Sequence, residues 1–212
     1  MSDLQAKITA IFPAENEIPA EFQIQPIHQT EYLVNGEMRQ WAGATQDVFS
    51  PVFLKNGETF ESKYIGSYPI GTEVEAMEAL DAAVKAYDNG RGEWPMMSVS
   101  RRIDCMEKFV KKMLEEKPKI VKLLMYEIGK SLADSNKEFD RTVQYIYDTI
   151  DALKDIDRGS SRFKIEEGII GQIRRSSLGV VLCMGPFNYP LNDTYTTLIP
   201  AILIQTSIPF DL

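Results

Sequence analysis

Leu178-Gly179-Val180-Val181-Leu182-Cys183-Met184-Gly185-Pro186-Phe187-Asn188-Tyr189-Pro190 is the stretch around which the chain is organised. An apolar run of strand length breaks at Gly-Pro, presents Phe-Asn-Tyr, and meets a second proline before a new apolar segment. A continuous apolar run bounded by turn residues predicts a strand buried on both faces, as in a parallel sheet. Ligands of such sheets bind just beyond the carboxyl ends of the strands. Asn188 stands at that place, and its amide can donate two hydrogen bonds.

Working back from there, Phe163-Lys164-Ile165, Glu166-Glu167-Gly168 and Ile169 to Arg174 read as a hairpin, with Gly159-Ser160-Ser161 as the linker before it. Four helices are predicted upstream. Thr72-Glu73-Val74-Glu75 is a capping box. It opens a helix whose apolar face is Val74, Met77, Leu80, Val84 and Tyr87, closed by Asn89-Gly90. A second helix starts near Ser98 or Ser100 and carries Ile103, Met106, Phe109, Val110, Met113 and Leu114. Pro118 suits the first turn of a third, which ends at Gly129. A fourth runs roughly from Asp134 to Leu153, with Phe139, Val143, Ile146, Tyr147, Ile150 and Leu153 inward. Nearer the start, Asn35-Gly36 between Tyr32–Val34 and Glu37–Trp41 marks a hairpin, because both turn positions need positive φ. Residues 1–30 read as an extended arm or loop. The segment around Ser50-Pro51 and Asn56-Gly57 reads as irregular, leading to a short strand at Tyr64–Tyr68. Beyond Pro190, residues 191–204 can be a helix that Pro200 kinks or ends.

Composition narrows the function. A net charge of −8, from 31 acidic and 23 basic residues, argues against nucleic acid as the main partner. There is no basic and apolar leader at the start and no run of membrane-spanning length, so the expectation is a cytoplasmic protein without a membrane partner. Cys105 and Cys183 have neither metal-ligand nor CxxC spacing, and His28 is the single histidine, so no metal site is expected. Cys183 reads as a small apolar residue inside the strand, and Cys105 as a helix residue without a base partner. His28 reads as a surface residue. Lys111-Lys112 and Glu115-Glu116-Lys117 read as solvated helix surface.

Gly179 to Asn192 resembles the signature that opens the cofactor-binding domain of the aldehyde dehydrogenases. Ile173–Leu178 and Glu127-Ile128-Gly129-Lys130 resemble the same family, and the likeness extends from about Tyr32 to Ile204. Phe-Asn-Tyr-Pro is most similar to the NADP-dependent, non-phosphorylating glyceraldehyde-3-phosphate dehydrogenase branch. The resemblance implies an α/β aldehyde dehydrogenase fold, present as its N-terminal part. The implied division is an arm at 1–30, a hairpin and helical part at 31–158, an oligomerisation-type hairpin at 159–176, and the start of a Rossmann-like NADP-binding fold at 177–212.

It further implies an oxidation of glyceraldehyde 3-phosphate through a cysteine thioester, with NADP as hydride acceptor, in a homo-oligomer. Asn188 matches the donor to the oxyanion. Arg141 and Tyr189 match the residues that hold the substrate phosphate, for which a planar guanidinium is suited. Without the family, Asn188 is a turn residue and Arg141 an exposed helix residue paired with Glu138. Met184, Gly185, Pro186 and Phe187 match the backbone lining the adenosine and phosphate side of the cofactor. The family continues into a Gly-Asn turn, a second strand and a Lys-Pro, whereas Gln205–Leu212 departs from that pattern. The nucleophilic cysteine and the general-base glutamate are thus expected downstream of this chain, which is expected to be inactive alone. The alternatives are a fragment of a general aldehyde dehydrogenase, or a non-catalytic product that binds other subunits through the hairpin.

Overall fold

The computed structural model describes residue 7 and residues 10–160, 162–172 and 176–204. Ser161, Ile173-Arg174-Arg175 and the Gln205–Leu212 tail, on which parts of the reading above fall, lie outside them. The chain divides into two compact units, Met1–Tyr32 with Gln40–Ile70 and Pro118–Asn136, and Leu33–Arg39 with Gly71–Lys117 and Lys137–Leu212.

The first unit is built on a three-stranded sheet in which Thr59–Pro69 lies between Ile27–His28 and Thr45–Asn56. Strand β1 (Ile27–His28) runs parallel to β5 (Thr59–Pro69), and β4 (Thr45–Asn56) runs antiparallel to it. This corrects the expectation of an irregular segment around Ser50-Pro51, because β4 is twelve residues long and passes through it. Its register slips between Val48 and Phe53. Pro51 has no N–H for a ladder, and a bulge is where a strand tolerates that loss. Ser50, 1% exposed, fills the irregularity. Its hydroxyl accepts from Val52 N–H at 3.0 Å and donates to the carbonyl of Tyr126. Gly66 has φ 144°, and a Cβ there would lie 1.9 Å from the Ile27 carbonyl oxygen, so only glycine lets β1 approach. Helix α3 (Lys117–Ile128) starts with Pro118 in its first turn and ends before Gly129, as expected. Leu54, Ile65, Val121, Leu124 and Tyr126 are the buried apolar residues of this unit.

The two-stranded ribbon β2 (Glu31–Val34) and β3 (Glu37–Gln40) forms around Asn35-Gly36, both in the left-handed region. The second unit is mainly helical. Helix α1 (Glu73–Tyr87) is capped as the sequence predicts: Thr72 Oγ1 accepts from Val74 N–H, and Glu75 accepts from the Thr72 N–H at 2.8 Å. Asp88, Asn89 and Gly90, all at positive φ, then turn the chain. Helix α2 (Val99–Glu115) is capped by Ser98 and buries Ile103, Met106, Val110 and Met113. Phe109 and Leu114, expected on that face, are 38% and 43% exposed. Helix α4 runs Leu132–Ser160. It is longer than expected because nothing breaks its period before Gly159. Phe139, Val143, Ile146 and Ile150 are buried, whereas Tyr147 is 40% exposed. Lys117, expected to be solvated, pairs with Asp140 at 2.5 Å and lies 5.5 Å above the Phe139 ring. The expected second hairpin forms from β6 (Lys164–Glu166) and β7 (Ile169–Gly171) around Glu167-Gly168.

The strand expected over 178–183 is not formed. Val180 and Cys183 each make a single bridge, and the residues between them are irregular. A parallel strand is stable only between neighbours and under helices on both faces, and here Cys183 is buried whereas Leu178 and Leu182 remain uncovered, at 89% and 55% exposure. Helix α5 (Asn192–Leu203) follows and retains Pro200 in its interior.

Candidate functional site

The site is the segment that joins Cys183 to α5, held against α4. Met184–Pro186 has no regular structure, and Phe187–Leu191 is turn and bend. Asn188 lies in the turn and is exposed. Tyr189 is half-exposed and Phe187 almost wholly exposed. The turn is laced to the first turn of α5. Tyr189 carbonyl accepts from Asp193 N–H at 3.1 Å, Leu191 carbonyl from Tyr195 N–H at 3.2 Å, and Pro190 carbonyl from the Thr194 hydroxyl at 2.6 Å. Gly185 passes so near to the helix that a Cβ would sit 1.8 Å from Thr194 Oγ1. No side chain larger than hydrogen fits between loop and helix there.

Helix α4 supplies the other wall. Glu138, 4% exposed, places Oε1 3.3 Å from the Leu191 nitrogen and 3.2 Å from the Asn192 nitrogen. One turn on, Thr142 donates to the Glu138 carbonyl at 2.8 Å and has its hydroxyl 3.4 Å from Asn192 Oδ1. One turn further, Tyr145 donates to the Thr196 carbonyl at 3.1 Å. That carbonyl is the one Pro200, lacking an N–H, leaves without its helical donor. The last carbonyls of α5 are served from elsewhere in the unit. Trp94 Nε1–H donates to Ile202 at 2.9 Å and Arg102 Nε–H to Leu203 at 3.1 Å. Burial pushes the Arg102 guanidinium below its usual range, and Asp157 acts against that. A cation at a helix C-terminus is favourable, so α5 is closed electrostatically at both ends, by Glu138 and Arg102.

Glu138 is the residue the sequence reading missed. The sequence suggests a surface partner of Arg141, whereas Glu138 is buried against the head of α5. Arg141 is exposed on α4 and has no ion-pair or hydrogen-bond partner among the described residues. Cys183 is buried and Cys105 exposed, both as free thiols. His28 belongs to the first unit and shares a 3.0 Å hydrogen bond with Ser67 Oγ. Among the described residues no three His, Cys, Asp or Glu side chains are grouped to hold a metal, and no helix is long and apolar enough to cross a membrane. A cavity of about 980 Å³ opens near Tyr87, Asn89, Trp94, Met97, Gly179 and Val180, and residues 184–189 do not line it.

Known proteins agree with this architecture. The sequence pattern of the aldehyde dehydrogenase family matches residues 52–208. Malonate-semialdehyde dehydrogenase 1 of Bacillus thuringiensis (strain Al Hakam) is 28% identical over 165 residues, which are 78% of this chain and 32% of that protein. Malonate-semialdehyde dehydrogenase of Bacillus cytotoxicus is 29% identical over the same shares. The chain therefore spans about a third of the length of these curated relatives. Two crystal structures share the fold. The NADP-dependent glyceraldehyde-3-phosphate dehydrogenase from Bacillus halodurans C-125, complexed with NADP, superposes with TM-score 0.70 at 24% identity, covering 86% of this chain and 37% of that one. The NAD-dependent aldehyde dehydrogenase from Sinorhizobium meliloti superposes with TM-score 0.75 at 23% identity, covering 92% and 36%. With the family pattern matching well over half of its residues, this chain belongs to the aldehyde dehydrogenase family.

Proposed function

We propose that the chain is the N-terminal part of an NADP-dependent aldehyde dehydrogenase acting on glyceraldehyde 3-phosphate, with Asn188 as the donor to the oxyanion. The observation that carries this reading is the Gly179–Asn192 motif, with Asn188 exposed in the turn that leads into α5. A neutral amide held by its backbone can be aimed where negative charge develops on the substrate oxygen. It then stabilises the tetrahedral intermediate without reorganising, and losing one such donor costs about 10²–10³ in rate. The thiolate that attacks the aldehyde and the base that activates water belong to the rest of such an enzyme. Arg141 and Tyr189 are the proposed phosphate contacts. A guanidinium on an exposed helix face can offer two parallel N–H donors to an anionic group.

Met184, Gly185, Pro186 and Phe187 are the proposed cofactor contacts. They fit the role as a loop that exposes two apolar side chains, Met184 and Phe187. The N–H groups at the head of α5 are already held by Glu138, so a dinucleotide would meet this loop and not the helix terminus. When bound, the nicotinamide would supply the hydride acceptor. The protein side of the reaction is the orientation of the Asn188 amide and the anion contact of Arg141. The cytoplasm and a homo-oligomer assembled through β6–β7 complete the proposal.

A second reading is favoured by the curated relatives, whose names specify malonate semialdehyde. That substrate carries a carboxylate, and a guanidinium receives carboxylate and phosphate alike. Arg141→Leu in a full-length relative with arginine at the matching position separates the two. A rise in KM for glyceraldehyde 3-phosphate, with malonate semialdehyde unaffected, supports the first reading; the reverse supports the second. The 212 residues alone are expected to give no NADP-dependent oxidation of glyceraldehyde 3-phosphate above a no-enzyme blank. Turnover would sink the placement of essential residues outside this chain.

A further inference from the structure

We infer that Glu138 is a positioning residue for the Asn188 amide, acting through the head of α5. The inference rests on the proposed oxyanion role of Asn188 for its functional meaning, but its structural content is independent of that role.

Glu138, Thr142 and Tyr145 are spaced four and three residues apart, so they share one face of α4. Each meets α5 at a polar group of its first turns, and two of these groups lack a helical partner. The first N–H groups of any helix have no acceptor within it. Leu191, at the N-cap of α5, has no side-chain oxygen with which to supply one. Glu138 does so instead, and one carboxylate oxygen receives both Leu191 and Asn192 N–H groups. A negative charge at this end is also favoured by the helix dipole. The Thr196 carbonyl, orphaned by Pro200, is received by Tyr145.

The consequence reaches Asn188 through the backbone. Leu191 and Asn192 are fixed by Glu138. The carbonyls of Tyr189 and Pro190 are fixed by Asp193 and Thr194 in the same helical turn. Asn188 is therefore one peptide away from a segment whose donors and acceptors are engaged, although its side chain is exposed. This combination gives a mobile-looking surface position a fixed aim. Tyr145 grips the same helix one turn later, where no carbonyl of the Asn188–Pro190 turn is involved. The two residues thus divide their roles: Glu138 orients the turn, and Tyr145 seats the helix.

The test uses the whole 212-residue chain, labelled with ¹⁵N. In Glu138→Ala, hydrogen exchange at the Leu191 and Asn192 amides is expected to accelerate roughly 10- to 100-fold, as for a lost bond to a charged group. The side-chain amide resonances of Asn188 should shift and broaden. Exchange at Leu198, Ile199 and residues 201–203 should stay within about threefold of wild type. Glu138→Gln, which keeps an acceptor oxygen of the same reach, should restore the Asn188 resonances in part. Tyr145→Phe should leave them unchanged. Uniform loosening of α5 in Glu138→Ala, or Asn188 resonances unmoved by it, would overturn the inference. If Glu138→Ala does not fold, Glu138→Met, which fills the same space without an acceptor, decides on the same readouts: accelerated exchange confined to Leu191 and Asn192 supports the inference, and wild-type exchange there overturns it. Turnover enters none of these readouts. A failed oxyanion role for Asn188 would instead appear as unchanged turnover on replacing the matching asparagine in a full-length relative.

Discussion

Two phenylalanines in the second unit, Phe139 and Phe187, sit in opposite worlds. Phe139 on α4 is fully buried, with the Lys117 ammonium over its ring. Phe187, in the loop before α5, is 87% exposed. The same contrast runs through their surroundings. Around α4 and α5, the buried side chains Ile146, Ile150, Ile199 and Leu203 are at most 1% exposed, and the polar groups of α5 find partners at both ends and in the middle. Along 178–187 and on the Val74, Met77, Leu80 and Val84 face of α1, large apolar side chains are uncovered. Contiguous exposed apolar surface of this kind marks interaction surface. One region is thus complete within the described residues, and the other presents the surfaces that an α/β sheet covers with its further strands and helices.

The comparison breaks most sharply by truncating both phenylalanines. Phe139→Ala is expected to cost about 3–5 kcal/mol in denaturant unfolding, through lost burial and a cavity. Phe187→Ala should change stability by less than about 0.5 kcal/mol. Equal effects would show that the exposed loop is covered in solution. A smaller effect tests the α4–α5 seam. Tyr145→Phe is expected to cost about 1–2 kcal/mol, because it leaves the Thr196 carbonyl without its donor. In a Pro200→Ala background, where residue 200 regains an N–H, the cost of Tyr145→Phe should shrink; an unchanged cost would locate the role of Tyr145 outside that bond.

The smallest effect concerns the head of α1. Thr72→Ala should cost about 1 kcal/mol. Glu75 carries the matching pH dependence. Its carboxyl is held below the usual range by the Thr72 hydroxyl and then by the Thr72 N–H. A lowered folded-state pKa means that the contribution is complete above the ordinary carboxylate range and is lost as pH falls through the lowered value. Glu75→Gln should therefore flatten that part of the pH–stability curve, and the difference from wild type should vanish at low pH.

The same contrast explains what was readable from the residues. The capping box at Thr72, the Asn35-Gly36 turn, Pro118 in the first turn of α3 and the stop at Gly129 are local signals, written in adjacent residues. They appear in the fold where expected. Strand β4 was concealed because Pro51 looks like a breaker, and only the opposing strand decides that it sits at a bulge. The 178–183 strand was read correctly as an apolar run, but pairing is not a property of the run itself. Asn188 stands out as a candidate because the motif around it is contiguous. Glu138 was missed because a carboxylate three residues before an arginine suggests a surface pair. Its neighbours Thr142 and Tyr145, on the flank of an otherwise apolar stripe, were the available hint of a polar seam.

The fastenings of α5 all come from far away along the chain. Its head is bound by a residue 53 positions earlier, and its tail by Trp94 and Arg102, 108 and 101 positions earlier. Contacts between such distant residues require large loops to close before they return any stabilisation. Helices α1 to α4 can each form from local contacts, but α5 has to wait for them. Its docking is therefore expected late in folding. On that order, seating Asn188 is expected to be among the last steps by which this chain becomes native.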